Sequence, residues 1–306
     1  MFENTKTYCF GRYLVDVPYV AELKGFGNKY LSTAIESGTG RDLFKKIIKE
    51  KIDALKNENT KRGFKYVNEE FAGDDEKRIL ISKADLYGDV AYGIDTFKIN
   101  PKNKAGGSIY FYTAGQGYDD KRINEIIDKY KKLLNQTRYR TEKEIPKEPG
   151  FCFENGFVAN DGKTSQPEEA NLYFVLKNNP YVKIRIFSHV YFNKEQTLLE
   201  RIDSSGVMKK FLSKVKYNKQ GKRIINGLNG EEALTTFPSD DETGIAHVFT
   251  WETLGEIGNP LFPSINLEIK TGDSGGSGTF PSTLSQQEAM ALYETIVKSI
   301  RIRPTQ

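Results

Sequence analysis

The sequence predicts an α+β fold built from two similar tandem domains, each a mainly antiparallel sheet with helices. Its 306 residues are about twice the length of an ordinary domain. Two strand-like segments, 9–15 and 152–158, open the two halves alike, both on Cys-Phe. Each half also ends alike, on a helical segment followed by residues 138–140 or 301–303. A repeat of this length indicates two related lobes rather than a solenoid of short units.

The first half contains a clear amphipathic helix. Over residues 41–57, apolar side chains recur at helical spacing while Lys and Glu occupy the other face. Strand-like runs follow at 90–99 and 108–115. We expect these elements and a closing helix to form a lobe over residues 1–145. The charged segment 141–150 contains two prolines and is typical of an extended linker.

The second half, residues 150–306, repeats this plan. Apolar residues alternate at 172–176 and 182–186 around Asn178-Asn179-Pro180, which predicts a hairpin. A helix is expected at 194–215, which Ser204-Ser205-Gly206 should break or kink. Strands follow at 245–252 and 264–272. Ser285 stands three residues before Glu288, a spacing that predicts a capped helix over 285–300.

Composition argues against several classes of function. The net charge of +4, from 45 basic and 41 acidic residues, provides little excess field for holding a nucleic acid. No apolar run is long enough to span a bilayer, so no direct membrane insertion is expected. The first residues, MFENTKTYCF, lack the apolar core of an export signal, and a leader removed from the sequence would leave no trace in it.

Two histidines and two cysteines are too few to supply clustered zinc ligands, so we expect no metal and no cofactor. Cys9 and Cys152 occupy equivalent positions in the repeat. Two interpretations are open for them: a bridge between the lobes, or buried free thiols at the strand starts.

The string Gly272-Asp273-Ser274-Gly275-Gly276 resembles the surroundings of a serine nucleophile. A catalytic Ser274 would need His189 or His247 as its base, yet both lie in strand-like runs and no histidine follows position 274. The alternatives are a flexible Gly/Ser loop and a binding loop. In an alignment of the two halves, this segment is an insertion in the second lobe. We expect no catalytic residue in the chain.

Three short segments resemble members of a known family. They are 9–18 (CFGRYLVDVP), 150–157 (GFCFENGF) and 249–255 (FTWETLG). In their order and spacing these segments resemble the Tli4 family, the immunity proteins of type VI secretion lipases. The resemblance spans both halves, and its motifs are structural rather than catalytic.

The resemblance implies a fold of two similar α+β domains arranged like the arms of a claw. It implies a function that is inhibitory and not enzymatic: the claw grips a cognate secreted phospholipase of α/β-hydrolase type and blocks its lid or active-site entrance. Family members act in the periplasm, which requires an export leader. Two other hypotheses remain open, an envelope or carbohydrate-binding module and a serine hydrolase that uses Ser274.

For an inhibitor of this kind we expect the contact residues on exposed loops. The sequence offers three such loops, two of them acidic and one rich in glycine. The predicted partner-binding residues are Tyr118, Asp119, Asp120, Asp240, Asp241, Glu242, Asp273 and Ser274.

Overall fold

The computed structural model describes residues 2–57, 62–73, 76–100, 109–205, 215–273 and 278–306, and within 109–118 it describes only the side chain of Phe111. The chain forms two units. We call Met1–Gly27 with Asp161–Gln306 the terminal unit, and Asn28–Asn160 the central unit.

Both units consist of antiparallel strands with a few helices. In chain order the elements are β1 (Thr5–Phe10), β2 (Tyr13–Pro18), β3 (Ala21–Tyr30), β4 (Thr33–Thr39), α1 (Arg41–Lys56), β5 (Lys65–Phe71), β6 (Lys77–Leu86), β7 (Asp89–Asn100), β8 (Ile109–Tyr118), α2 (Ile123–Gln136), β9 (Thr137–Tyr139), β10 (Gly150–Phe153), β11 (Gly156–Ala159), β12 (Glu168–Leu176), β13 (Asn179–His189), α3 (Leu198–Ser204), β14 (Lys216–Ile225), β15 (Leu228–Pro238), β16 (Ile245–Thr253), β17 (Ser264–Thr271), α4 (Gln286–Val297) and β18 (Arg301–Ile302).

The two units have the same sheet order. The strands run β3-β4-β8-β7-β6-β5 in the central unit and β12-β13-β17-β16-β15-β14 in the terminal unit, with antiparallel neighbours. In each unit one helix follows the second strand and another follows the last. The α+β fold and the internal duplication predicted from the sequence are confirmed.

The units differ from the predicted lobes, 1–145 and 150–306, by an exchange of hairpins. The hairpin β1-β2 pairs with β18 at the other end of the chain, through Leu14 and Arg301. The hairpin β10-β11 pairs with β9, through Phe157 and Arg138. Each hairpin therefore belongs to the unit of the opposite sequence half. Pairing between strands so distant in sequence leaves no trace in local patterns.

In the central unit the sheet lies between two helices. Phe44 and Ile48 of α1 pack on Leu80, Phe97 and Ile99 of β6 and β7. Helix α2 contacts β6 and β7 and buries its own apolar face, including Tyr130 and Leu133. Removing these side chains from water provides most of the driving force for folding the unit. The helix predicted at 41–57 is confirmed.

In the terminal unit, α4 packs its apolar face on the sheet. Tyr293 lies edge-on to Phe249 of β16, with 5.8 Å between ring centroids, and Leu292 and Ile296 are fully buried. The helix begins with the predicted capping box, in which Ser285 accepts from the backbone N–H of Glu288 and the Glu288 carboxylate accepts from that of Ser285.

The helix predicted at 194–215 is shorter in the described part of the chain. Helix α3 begins at Leu198 behind a capping box formed by Thr197 and Glu200, and it ends at Ser204. Residues 206–214 lie outside the described residues. The end at Ser204 agrees with the helix-breaking signal in the sequence. No helix within the described ranges has the length and hydropathy needed to cross a membrane.

The predicted linker contains no helix or strand over residues 141–149, but arginines hold it in place. Arg140 is buried and donates to the carbonyl oxygens of Glu144 and Phe153 at 3.0 and 3.1 Å. Burial lowers its pKa to about 10. Arg138 pairs with the carboxylates of Glu144 and Glu148. The segment is therefore packed within the central unit and is not an extended spacer.

Both cysteines, Cys9 and Cys152, are disulfide-bonded. Of the two interpretations open at the sequence level, the free-thiol interpretation is therefore wrong. Both residues are almost fully buried, which protects a disulfide from reducing agents in solution.

Candidate partner-binding surface

Three chain segments meet at one end of the terminal unit's sheet, and we call this place the terminal turn end. They are the β12-β13 turn at 177–178, the β15-β16 turn at 239–244, and residues 272–273 and 278–280 after β17. The register brings them together, because Lys183 near the start of β13 pairs with Lys270 near the end of β17, and His247 near the start of β16 pairs with Thr271. Two of the three predicted loops lie here.

The β15-β16 turn is folded by its own side chains. Asp241 accepts hydrogen bonds from the Ser239 hydroxyl and from the backbone N–H and hydroxyl of Thr243. The hydrogen bond from Ser239, followed by those from Thr243, lowers the pKa of Asp241. Glu242 has a φ of 56°, in the left-handed region. Asp241 therefore shapes the turn, while the backbone presents Glu242 to solvent.

Asp240 ties this turn to the segment after β17. Its N–H donates to the carbonyl oxygen of Thr279 at 2.9 Å, and its carboxylate accepts from the N–H of Thr279 at 2.8 Å. In the same segment, Asp273 donates its N–H to the carbonyl oxygen of Tyr181 and pairs with Lys183 at 3.2 Å. The structure thus brings Asp240, Asp241, Glu242 and Asp273 together. Ser274 lies outside the described residues.

The third predicted loop lies in the central unit. Tyr118 is the last residue of β8, and its side chain is outside the described part of the structure. Asp119 accepts the N–H of Arg122 at 2.9 Å and so helps to start α2. Asp120 accepts a hydrogen bond from Tyr92, which raises the pKa of the Tyr92 hydroxyl. Because β8 and β17 occupy equivalent places in the two sheets, this loop is the counterpart of the described residues that follow β17.

The sequence analysis missed an aromatic pair at the terminal turn end. Tyr181 and Phe280 lie with their ring centroids 5.0 Å apart and are 40% and 41% exposed. Ile245, also exposed, is linked to the same segment through its carbonyl oxygen, which accepts from the N–H of Ser282. Tyr181 falls out of phase with buried Val182 and Ile184, a local signal that could have identified it. Exposed aromatics beside carboxylates are typical of protein interfaces.

Neither histidine has the surroundings that the catalytic base of a serine hydrolase needs. His247 is fully buried, and its Nδ1 lies 2.9 Å from the Thr271 hydroxyl. His189 stacks on Phe187 at 5.0 Å, and its Nε2 lies 3.7 Å from a carboxylate oxygen of Glu195. The described residues contain no group of three His, Cys, Asp or Glu side chains placed to hold a metal ion.

A cavity of about 490 Å³ lies at the opposite end of the terminal unit's sheet, lined in part by Leu198, Ile224 and Phe262. Its carboxylates are engaged within the fold: Glu252 forms a bidentate pair with Arg201, and Glu231 accepts the N–H of Leu199. The carboxylates that line the cavity are therefore bonded within the fold, Glu256 through Asn259. The better candidate site is the terminal turn end together with the corresponding end of the central unit, which carries the β3-β4 turn, the β6-β7 turn and residues 118–120. We call these two places the turn ends.

Comparison with known proteins finds a family-model match in each half of the sequence. A family model described as the Tle cognate immunity protein 4 N-terminal domain matches residues 6–106. The corresponding C-terminal domain model matches residues 144–305. A search of curated proteins gives no match.

Solved structures share the fold over the whole chain. The apo structure of the type VI secretion immunity protein TplEi from Pseudomonas aeruginosa is 25% identical, covers 99% of this chain and 98% of its own, and gives a TM-score of 0.81. The crystal structure of the Tle4-Tli4 complex contains a chain that is 24% identical with full coverage of both chains and a TM-score of 0.84. TplEi complexed with an "L" peptide is 23% identical, with a TM-score of 0.80.

Proposed function

The chain belongs to the Tle cognate immunity protein 4 family, and on that premise we propose that it binds and inhibits a cognate type VI secretion phospholipase of the Tle4 type. Family membership confirms the prediction of a binding protein rather than an enzyme. The observation that carries the proposal is the match of both family models, which together account for most of the two sequence halves.

We propose that the turn ends of the two units bind the phospholipase. The predicted residues Asp240, Glu242 and Asp273 support this for the terminal turn end, where they lie beside the exposed pair Tyr181 and Phe280. Aromatic side chains carry much of the energy of protein interfaces, and charges at the rim direct association. In the central unit, Tyr118, Asp119 and Asp120 are the corresponding candidates. Ser274 is a further candidate in the sequence.

The proposed mode of inhibition is steric: the bound protein covers the lid or active-site entrance of the phospholipase. Rigid turns favour this mode, since a surface that is already ordered loses little entropy on binding. The terminal turn end is ordered by two hydrogen bonds between Asp240 and Thr279, one of which is accepted by the Asp240 carboxylate, and by the internal bonds of Asp241.

The proposed location is the periplasm. Disulfides form and persist in oxidising compartments, including the bacterial periplasm, and are rare in the cytosol. Both cysteines of this chain are disulfide-bonded, which supports a periplasmic site of action and therefore delivery by an export leader.

The test is to mix the purified protein with the lipase encoded in its own gene cluster. Phospholipid hydrolysis and co-elution on a sizing column are followed together. We expect a stoichiometric complex with loss of hydrolysis. Unchanged hydrolysis with separate elution would show that this lipase is not its target.

Variants locate the surface. We expect the double change Tyr181→Ala with Phe280→Ala to weaken co-elution and restore hydrolysis. The matched control is Ile224→Ala, which removes a more exposed apolar side chain at the opposite end of the same unit. Equal loss of binding in the double variant and the control would argue against the terminal turn end.

Neither competing hypothesis gains support from the described residues. The serine hydrolase requires His189 or His247 to act as base for Ser274, and the described contacts of both imidazoles are with other side chains. For a carbohydrate-binding module we find no observation that favours a sugar over a protein partner.

A further inference from the structure

Unfavourable backbone conformations are concentrated at the turn ends. Among the described non-glycine residues with left-handed φ, three are asparagines, the residue best suited to that region. The others are Leu31, Ser32, Tyr87 and Glu242. Leu31 and Ser32 form the β3-β4 turn, Tyr87 lies in the β6-β7 turn, and Glu242 lies in the β15-β16 turn. All four therefore lie at a turn end.

Of these four residues, Tyr87 has the bulkiest side chain. It has a φ of 61° and is followed by Gly88 in a two-residue hairpin turn that joins Leu86 to Asp89. The chain places an asparagine in such a turn at Asn178 and Asn226. A bulky side chain in the left-handed region is strained, and such strain persists mainly where function requires it. The tyrosine therefore lowers the stability of its own turn relative to asparagine.

The fold does not cover the Tyr87 side chain, so no burial offsets this strain. It is fully exposed to solvent, with a relative accessibility of 106%. Val90, three residues on, is also exposed, at 42%. The turn itself is closed by another residue, because the Asp85 carboxylate accepts the N–H of Gly88 at 2.7 Å. An aromatic ring that is both strained and uncovered is suited to insertion into a partner.

The charges around this corner indicate the kind of partner. Asp85 and Asp89 flank the turn in sequence. Asp120 lies at the same end, where it bonds Tyr92, and Asp119 precedes it. Lys121 and Arg122 follow Asp119 and Asp120 in the chain and offset their charge, whereas Asp85 and Asp89 lie nearest to the ring. These two aspartates would repel the anionic surface of a bilayer and attract a basic surface. The position is also equivalent, in the repeated topology, to the turn that carries Asp240 and Glu242.

We propose that Tyr87 is the anchor of the central unit's partner-binding surface, inserting into a pocket with a basic rim on the phospholipase. This inference rests on the proposed function and deepens it. The ring is kept at this turn for binding, at a cost in stability.

The test uses Tyr87→Asn and Tyr87→Phe in the full chain. Tyr87→Asn removes the ring and relieves the strain, so the thermal midpoint should rise by about 2 °C while the Kd for the cognate phospholipase rises about tenfold or more. Tyr87→Phe keeps both ring and strain, so its thermal midpoint should stay at the wild-type value and its Kd should change far less. A merely structural tyrosine could not produce opposite changes in stability and affinity.

Three outcomes are distinguishable. If wild type binds the phospholipase and Tyr87→Asn binds equally well, the anchor role is wrong while the proposed function stands. If wild type does not bind the phospholipase, the proposed function fails first. If wild type binds vesicles containing phosphatidylglycerol and Tyr87→Asn does not, the residue belongs to a lipid-binding surface and the inference is overturned.

Discussion

At the scale of single residues, Gly272 has a structural role, although it opens a motif that resembles the surroundings of a serine nucleophile. Gly272 has a φ of 77°, and a Cβ placed there would lie 2.1 Å from the carbonyl oxygen of Phe280. The N–H of Phe280 donates to the carbonyl oxygen of Gly272 at 2.8 Å. The first glycine of the motif therefore allows two backbone segments of the terminal turn end to approach closely.

We predict that Gly272→Ala destabilises the protein by about 2–4 kcal/mol, because it combines backbone strain with a clash against a main-chain oxygen. The matched control is Gly25→Ala, where an added Cβ meets no atom within 4 Å. Chemical denaturation measures both. Similar stability of the two variants would contradict the close approach at Gly272.

Buried His247 links the stability of the fold to pH near neutrality. Burial lowers its pKa from the ordinary value of 6.5, because the protonated imidazole would lie inside the core. Below that value the unfolded chain binds a proton that the folded chain resists. The stabilising contribution is therefore complete above pH 6.5 and is lost progressively as the pH falls below it.

We predict that the thermal midpoint of the wild type falls between about pH 7.5 and about pH 5 more than that of His247→Gln, which has no ionisable group at this position. Differential scanning fluorimetry across the range measures the difference. A parallel pH dependence in the wild type and His247→Gln would exclude this explanation.

At the scale of elements, the sequence predicts well where local chemistry decides. The spacing of Ser285 and Glu288 places the start of α4, and the apolar spacing over 41–57 gives α1 nearly to the residue. Prediction was weaker for α3, because the capping box of Thr197 and Glu200 that starts the helix was not used to place its first residue. Predicting the arginine contacts of residues 141–149 would have required knowledge of the fold.

We predict that Ser285→Ala destabilises the terminal unit by about 1 kcal/mol, since it leaves the first turn of α4 without its side-chain acceptor. Gln287→Ala, an exposed change in the same turn, is the control. Equilibrium denaturation should separate the two variants. If Ser285→Ala proved as stable as the control, the capping box would contribute nothing measurable to this fold.

At the scale of the whole molecule, the duplication is visible in sequence but its exchange of hairpins is not. The strands β2 and β18 come from opposite ends of the chain, and no local pattern links Leu14 to Arg301. For a related reason, only part of the candidate surface could be predicted from the sequence. Acidic turns are evident in the sequence, and the phase of Tyr181 is a local signal that was not used, whereas Phe280 and Tyr87 are revealed as exposed only by the structure.

The central claim is immunity, and export-dependent protection of cells tests it most directly. The cognate phospholipase is directed to the periplasm of a susceptible strain, and this chain is supplied either with or without an export leader. The account predicts growth with the exported chain and lysis with the leaderless chain. Lysis in the presence of an exported, folded and oxidised chain would contradict it.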